Sequence, residues 1–212
     1  MDMSHWLEDA EREEQQKRMR PLREGARIQD KIHRVKENYA ANHTLYDEFL
    51  HYMDDLCERA NRLPSEKKHP WMNIEHKAKE SKYENHLYAF STSERISKNV
   101  ITKTFPFVKT QHYKHIHNLY VSVSKKMGLA EVEVWDDYLA KTRLNLDDGK
   151  DSEILIDDGL PRLRVVFEYP IRQLDKQVAY KILDWLAFKS DAKSLPFKEE
   201  HFKYDKRDSR KE

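Results

Sequence analysis

Apolar side chains recur at alternating steps of four and three from Ile28 to Leu63. The set is Ile28, Ile32, Val35, Tyr39, Asn42, Tyr46, Phe49, Met53, Leu56, Ala60 and Leu63, and only Asn42 is polar. A repeat held over this length predicts one long helix over 28–63 with a continuous seam. Pro64 ends it, because the residue before a proline is pushed out of helical geometry. The residues beside the seam divide it in two. Up to about residue 43 they are Gln29, Lys31, Lys36, Asn38 and His43, the solvated shoulder of a coiled coil. From residue 45 they are Leu45, Leu50, Tyr52 and Cys57. An apolar face that wide needs a domain surface to cover it, so the second half is expected to pack on a globular body. The first half, with Ile28, Ile32, Val35, Tyr39 and Asn42, is expected to be an interaction seam. Its partner is either the charged helix read over 4–19, folded back, or another subunit. Pro21 should start a new segment or kink the earlier one.

The rest of the chain reads as α+β. Residues 64–84 form a polar, lysine-rich connection with a short helix after Pro70, and 85–108 carries no decisive pattern. NLYVSVS and LAEVEVW alternate across a KKMG loop, which predicts an antiparallel hairpin with one wet face. A second hairpin is expected from SEILI through DDGLP to RLRVVFEY. Residues 173–189 give a last helix with Leu174, Val178, Ile182, Trp185 and Leu186 inward. The expected assembly has a helical region over 1–63 and an α+β sheet domain over 85–190. In it the long helices pack on a four- to five-stranded antiparallel sheet with a C-terminal helix. Residues 191–212 read as a polar tail.

Composition narrows the function classes. The single cysteine, Cys57, rules out an internal disulfide framework and points to a reducing, cytoplasmic setting. The opening MDMSHWLEDAEREEQQ has neither the basic nor the apolar part of a secretory leader, and no apolar run is long enough to span a membrane. With four glycines and no GxGxxG, GxSxG or phosphate-loop spacing, nucleotide cradles and serine hydrolase chemistry have no support. The expectation is a protein without a cofactor and, on balance, without catalysis.

Three constellations remain. His112, His115 and His117 lie close together in QHYKHIHN, and His115 and His117 share one face of a strand. Spacing alone gives no further ligand, so these are weak metal candidates. The pairs Asp136/Asp137, Asp147/Asp148 and Asp157/Asp158 do not converge by themselves, and the last two read as Asp-Gly turns. Residues 63–128 hold 12 Lys and Arg against 5 Asp and Glu, with aromatics interleaved. Lys103, Lys109, Lys114, Lys125, Lys126 and Tyr113 are therefore candidate nucleic-acid contacts. An interaction or assembly protein organised by the long helix, with self-association or a protein partner, is the leading expectation. A nucleic-acid-binding module over 95–126 comes second. An enzyme or ligand binder with a pocket between sheet and helices comes third; a pocket lined by converging His115, His117 or Asp136 would favour it.

Overall fold

The computed structural model describes residues 6–81, 86–104, 107–145, 151–156 and 163–205, with side chains omitted at 6–10, 18, 96–104, 107–113, 137–145, 151–156, 163 and 204–205. The fold is α+β. One helix, α1 (Trp6–Asn61), is followed by the short α2 (Ser65–Lys68). Then come strands β1 (Ile74–Glu80), β2 (Leu87–Thr104), β3 (Phe107–Val123), β4 (Leu129–Asn145), β5 (Asp151–Ile156) and β6 (Leu163–Pro170). Helix α3 (Lys176–Leu186) and strand β7 (Phe202–Asp205) complete it.

The seam of α1 meets the sheet about ten residues before its flanking residues change, and Asn38, expected on a solvated shoulder, is buried. Val35, Tyr46, Phe49, Leu50, Met53, Leu56 and Cys57 are buried against the sheet, and Ile32, Tyr39 and Asn42 are half-buried. Ile28 is 53% exposed, and every side chain described between residues 11 and 31 is exposed. Two expectations are corrected here. The helix runs unbroken through Pro21, and it stops at Asn61, so residues 4–19 do not fold back as a separate helix. Proline in a helix interior costs about 3 kcal/mol. The flanking Glu, Gln, Lys and Arg are strong helix formers, and no packed neighbour demands a break.

The sheet is antiparallel in the order β1-β2-β3-β4-β6-β7, six strands side by side, with β5 also on β4. The expected count of four to five was too low because long pairings were concealed. β2, β3 and β4 each run 17 or 18 residues, well past the stretches with clear alternation. The β3–β4 hairpin forms as the alternation requires. The second expected hairpin does not. β5 pairs with the outer half of β4 and β6 with its inner half, so both lie end to end along one edge of β4. The DDGLP turn read between them falls outside the described residues. Two polar stretches also carry structure. Ile74–Glu80 is the edge strand β1, and the short helix precedes Pro70. Beyond residue 191, Leu195 and Phe197 are buried and β7 pairs with β6.

Besides its apolar face, α1 is held to the β3–β4 turn by a buried amide. Asn38 is 0% exposed. Its Nδ2 lies 2.8 Å from the Ser124 and Lys126 carbonyls and 2.9 Å from that of Leu129. Its Oδ1 accepts from the Gly128 N–H at 2.8 Å and from Asn42 Nδ2 at 2.9 Å. Ser124–Leu129 is the β3–β4 turn, and Gly128 sits there at φ 75°. The turn that fixes the register of the central hairpin is thus clamped from the helix.

Candidate metal centre

Side chains on a strand alternate faces, and residues paired across antiparallel strands share a face. The inward face of β3 carries Val123, Val121, Leu119, His117 and His115. On β4 the matching positions are Ala130, Val132, Val134 and Asp136. On β2 they are Ser91, Ser93 and Arg95, opposite Leu119, His117 and His115. Apolar rows therefore give way to polar ones along the same face. Ser93, His117 and Asp136 form one cross-strand row, with Arg95 and His115 in the next. A register shift in β2 between Ile96 and Lys98 follows directly.

The change of row coincides with the end of α3. That helix starts at Asp175, whose Oδ1 accepts from the Val178 N–H at 2.9 Å, and buries Val178, Ala179, Ile182, Trp185 and Leu186. Its last carbonyls need partners once the helical ladder stops. The Phe188 N–H donates to the Trp185 carbonyl at 3.0 Å and the Lys189 N–H to that of Asp184 at 2.8 Å, the two bonds of a Schellman cap. The position between them needs a left-handed residue, and Phe188 holds it at φ 54°. A bulky residue there stores strain, commonly about 1 kcal/mol or more. Sheet side chains complete the cap. Ser93 donates to the Leu186 carbonyl, and His117 Nδ1 donates to that of Trp185 at 2.8 Å.

That last bond decides the chemistry of His117. With the proton on Nδ1, Nε2 keeps its lone pair. Nε2 stands 3.9 Å from Asp136 Oδ1, too far for a hydrogen bond between them. The ring is stacked between Trp185, 4.2 Å away, and Phe188, 4.0 Å away. Burial lowers its pKa to about 4, against the opposing pull of the Trp185 carbonyl and Asp136. The imidazole is neutral near pH 7.

His115 is buried too, with both nitrogens engaged. Its Nε2 donates to Asp136 Oδ1. Its Nδ1 faces Arg95, with Nε at 3.3 Å and Nη2 at 3.2 Å. The Arg95 guanidinium lies 4.8 Å from the centre of the Phe188 ring. The ligand atoms of His115, His117 and Asp136 all lie within 4.8 Å of one another. They open on a cleft of about 300 Å³ whose other lining includes Arg95, Trp185, Phe188, Lys189, Ser190 and Asp191.

Among the described residues, the remaining sequence candidates do not join this site. Lys114 is paired with Glu94 at 2.7 Å and Lys126 with Glu168, while Lys125 is exposed. The side chains of Lys103, Lys109, Tyr113 and His112 lie outside the described residues. Their backbones hold regular positions in β2 and β3. Cys57 is buried, and burial pushes its thiol up to about 12, so it is a packed side chain and not a nucleophile. Sequence reasoning saw His115 and His117 together and named Asp136 beside them as a pocket lining, but it gave Asp136 no ligand role and missed Arg95. No described helix is long and apolar enough to cross a membrane. No protein-family model, curated protein or solved structure matches the chain.

Proposed function

We propose that the protein binds one divalent transition-metal ion through His115 Nε2, His117 Nε2 and Asp136, and uses its open coordination positions to hold a small molecule in the cleft. The observation that carries this is the convergence of two imidazoles and a carboxylate within 4.8 Å at the wall of an open cleft. Two imidazoles with one carboxylate suit zinc, iron, cobalt or nickel rather than calcium or magnesium, which prefer all-oxygen shells. Three protein ligands leave positions for water or substrate, as in catalytic rather than structural zinc sites. The bond from His117 Nδ1 to the Trp185 carbonyl supports the reading further, because it aims the other nitrogen and fixes its tautomer. Adding a metal would lower the pKa of bound water and polarise a bound oxygen.

Calorimetric titration with Co²⁺ and Zn²⁺ tests this. One ion per chain should bind, and His117→Ala and Asp136→Asn should each weaken binding at least tenfold. Co²⁺ should also show visible absorption typical of low coordination number. Binding that is absent, or indifferent to both substitutions, refutes the reading.

A second reading concerns assembly. The exposed part of α1, residues 11–31, extends about 30 Å at the helical rise per residue, and every side chain described there is exposed. A lone helix of that length is marginal in water, which favours a protein partner or a second copy along Met19, Leu22 and Ile28. Analytical ultracentrifugation of the full chain and of a chain starting at residue 28 decides it. A concentration-independent monomer for the full chain, with no captured partner, removes it. The nucleic-acid reading loses support, since Lys114 and Lys126 are already paired with Glu94 and Glu168.

A further inference from the structure

We infer that metal binding opens a second, anion-binding half of the same cleft on Arg95, so that the ligand of this protein carries an oxyanion group, a phosphate or carboxylate, bridging the metal and the guanidinium. This rests on the metal reading above. Its basis is the use of the His115 ring. A nitrogen that ligates a metal spends its lone pair, so ligation through Nε2 leaves the ring proton on Nδ1. Nδ1 now accepts from Arg95 Nε and Nη2 at 3.3 and 3.2 Å. With a proton there, the contact becomes donor against donor and the two groups must part.

The edge of Arg95 that is released is Nε with Nη2. Those two parallel N–H groups form the fork that receives carboxylates and phosphates in bidentate fashion. The guanidinium remains in the cleft wall, near the Phe188 ring at 4.8 Å. Charge points the same way. Among the lining residues, Arg95 and Lys189 balance Asp136 and Asp191. A divalent ion leaves this set at a net +2, which an anion offsets. Lys189, whose Nζ donates to the His69 carbonyl at 2.8 Å, adds a second cation at the rim.

Linkage makes the idea measurable, because an anion that favours the metal-bound state must tighten metal binding by the same factor that metal tightens anion binding. Co²⁺ is titrated into the full chain in chloride, acetate and sulfate at equal ionic strength. Acetate or sulfate should tighten Co²⁺ binding by about tenfold over chloride. An effect of sulfate alone identifies a phosphoryl-like ligand, and of acetate alone a carboxylate; either supports the inference. Arg95→Gln should keep Co²⁺ binding, tightened in chloride, and lose the oxyanion effect. Arg95→Lys, which keeps the charge without the fork, should lose most of it and guards against a misfolded Gln variant. Equal Co²⁺ affinity in all three salts, or an oxyanion effect surviving in both variants, overturns the inference while leaving the metal reading intact. No Co²⁺ binding in any salt overturns both.

Discussion

Replacing Asn38 by aspartate changes one NH₂ for an oxygen, at nearly constant volume, in a buried side chain with five hydrogen-bond contacts. The Asn38 Nδ2 has two N–H groups for three carbonyl oxygens at 2.8, 2.8 and 2.9 Å. An ionised carboxylate at that place would face three acceptors, so the introduced carboxyl must stay protonated. Its single O–H then serves one carbonyl; those of Lys126 and Leu129 also accept from the Leu129 and Ser124 N–H groups, so the lost second bond costs about 1 kcal/mol. Holding a carboxyl protonated at pH 7, about three units above its ordinary pKa, costs a further ~4 kcal/mol. The sum is roughly 5 kcal/mol at pH 7, enough to unfold many domains. The sign of the pH dependence is fixed. The introduced group has its folded pKa raised above the unfolded one, so the folded state binds more protons, and the deficit shrinks as pH falls towards 4. Urea denaturation of wild type and Asn38→Asp at pH 7 and pH 5 reads both numbers. Comparison at matched pH cancels every other titration. A deficit below about 1 kcal/mol, or one equal at both pH values, would show that the turn is not held by this amide.

Gly128→Ala should cost about 1 kcal/mol in urea denaturation. Its φ is 75° and nothing lies within 4 Å of an added Cβ, so the loss is backbone strain alone; a neutral result would contradict that backbone. The metal-free protein should weaken on acidification between pH 6.5 and pH 4. His117 titrates near 4 when folded and near 6.5 when unfolded, so the unfolded chain binds the extra proton and up to ~3 kcal/mol is lost across that window. His117→Gln should flatten this part of the curve, and an unchanged slope would assign the loss elsewhere. A chain beginning at residue 28 should keep its urea midpoint within about 1 kcal/mol of the parent, because the side chains described at 11–27 bury nothing. A larger fall would place a packing partner on that part of α1.

The architecture was legible where one period held. The widening of the α1 face at residue 45 announces packing on a body, though packing already begins at Val35 and Asn38, and the β3–β4 alternation gives the central hairpin. What was hidden had a physical reason in each case. The exposed edge strand β1 buries only Ile74 among its seven residues, so it has no apolar alternation to display. β5 and β6 share one edge of β4, and no local turn rule distinguishes that from their pairing with each other. Leu195 and Phe197 are two apolar side chains in a polar run, too few to make a period.

The site was half legible, and the missing half was a matter of counting. Once Val123 pairs with Ala130 across the turn, six residues back along β3 and six forward along β4 bring His117 opposite Asp136. Arg95 needs the β2 register as well, and the Trp185 carbonyl needs the docking of a helix 68 residues away. No local pattern carries either. Yet the reason the site lies where it does is elementary. A helix that ends against a sheet exposes carbonyls, and the sheet must turn polar beneath them. Ser93 and His117 meet that need. A serine or threonine could cap a carbonyl equally well. An imidazole does so with one nitrogen and necessarily presents the other. Here the second nitrogen points to a carboxylate row at the edge of a cleft. In the proposed site capping and ligation would be one arrangement: the bond that completes α3 also fixes the His117 tautomer that a metal requires.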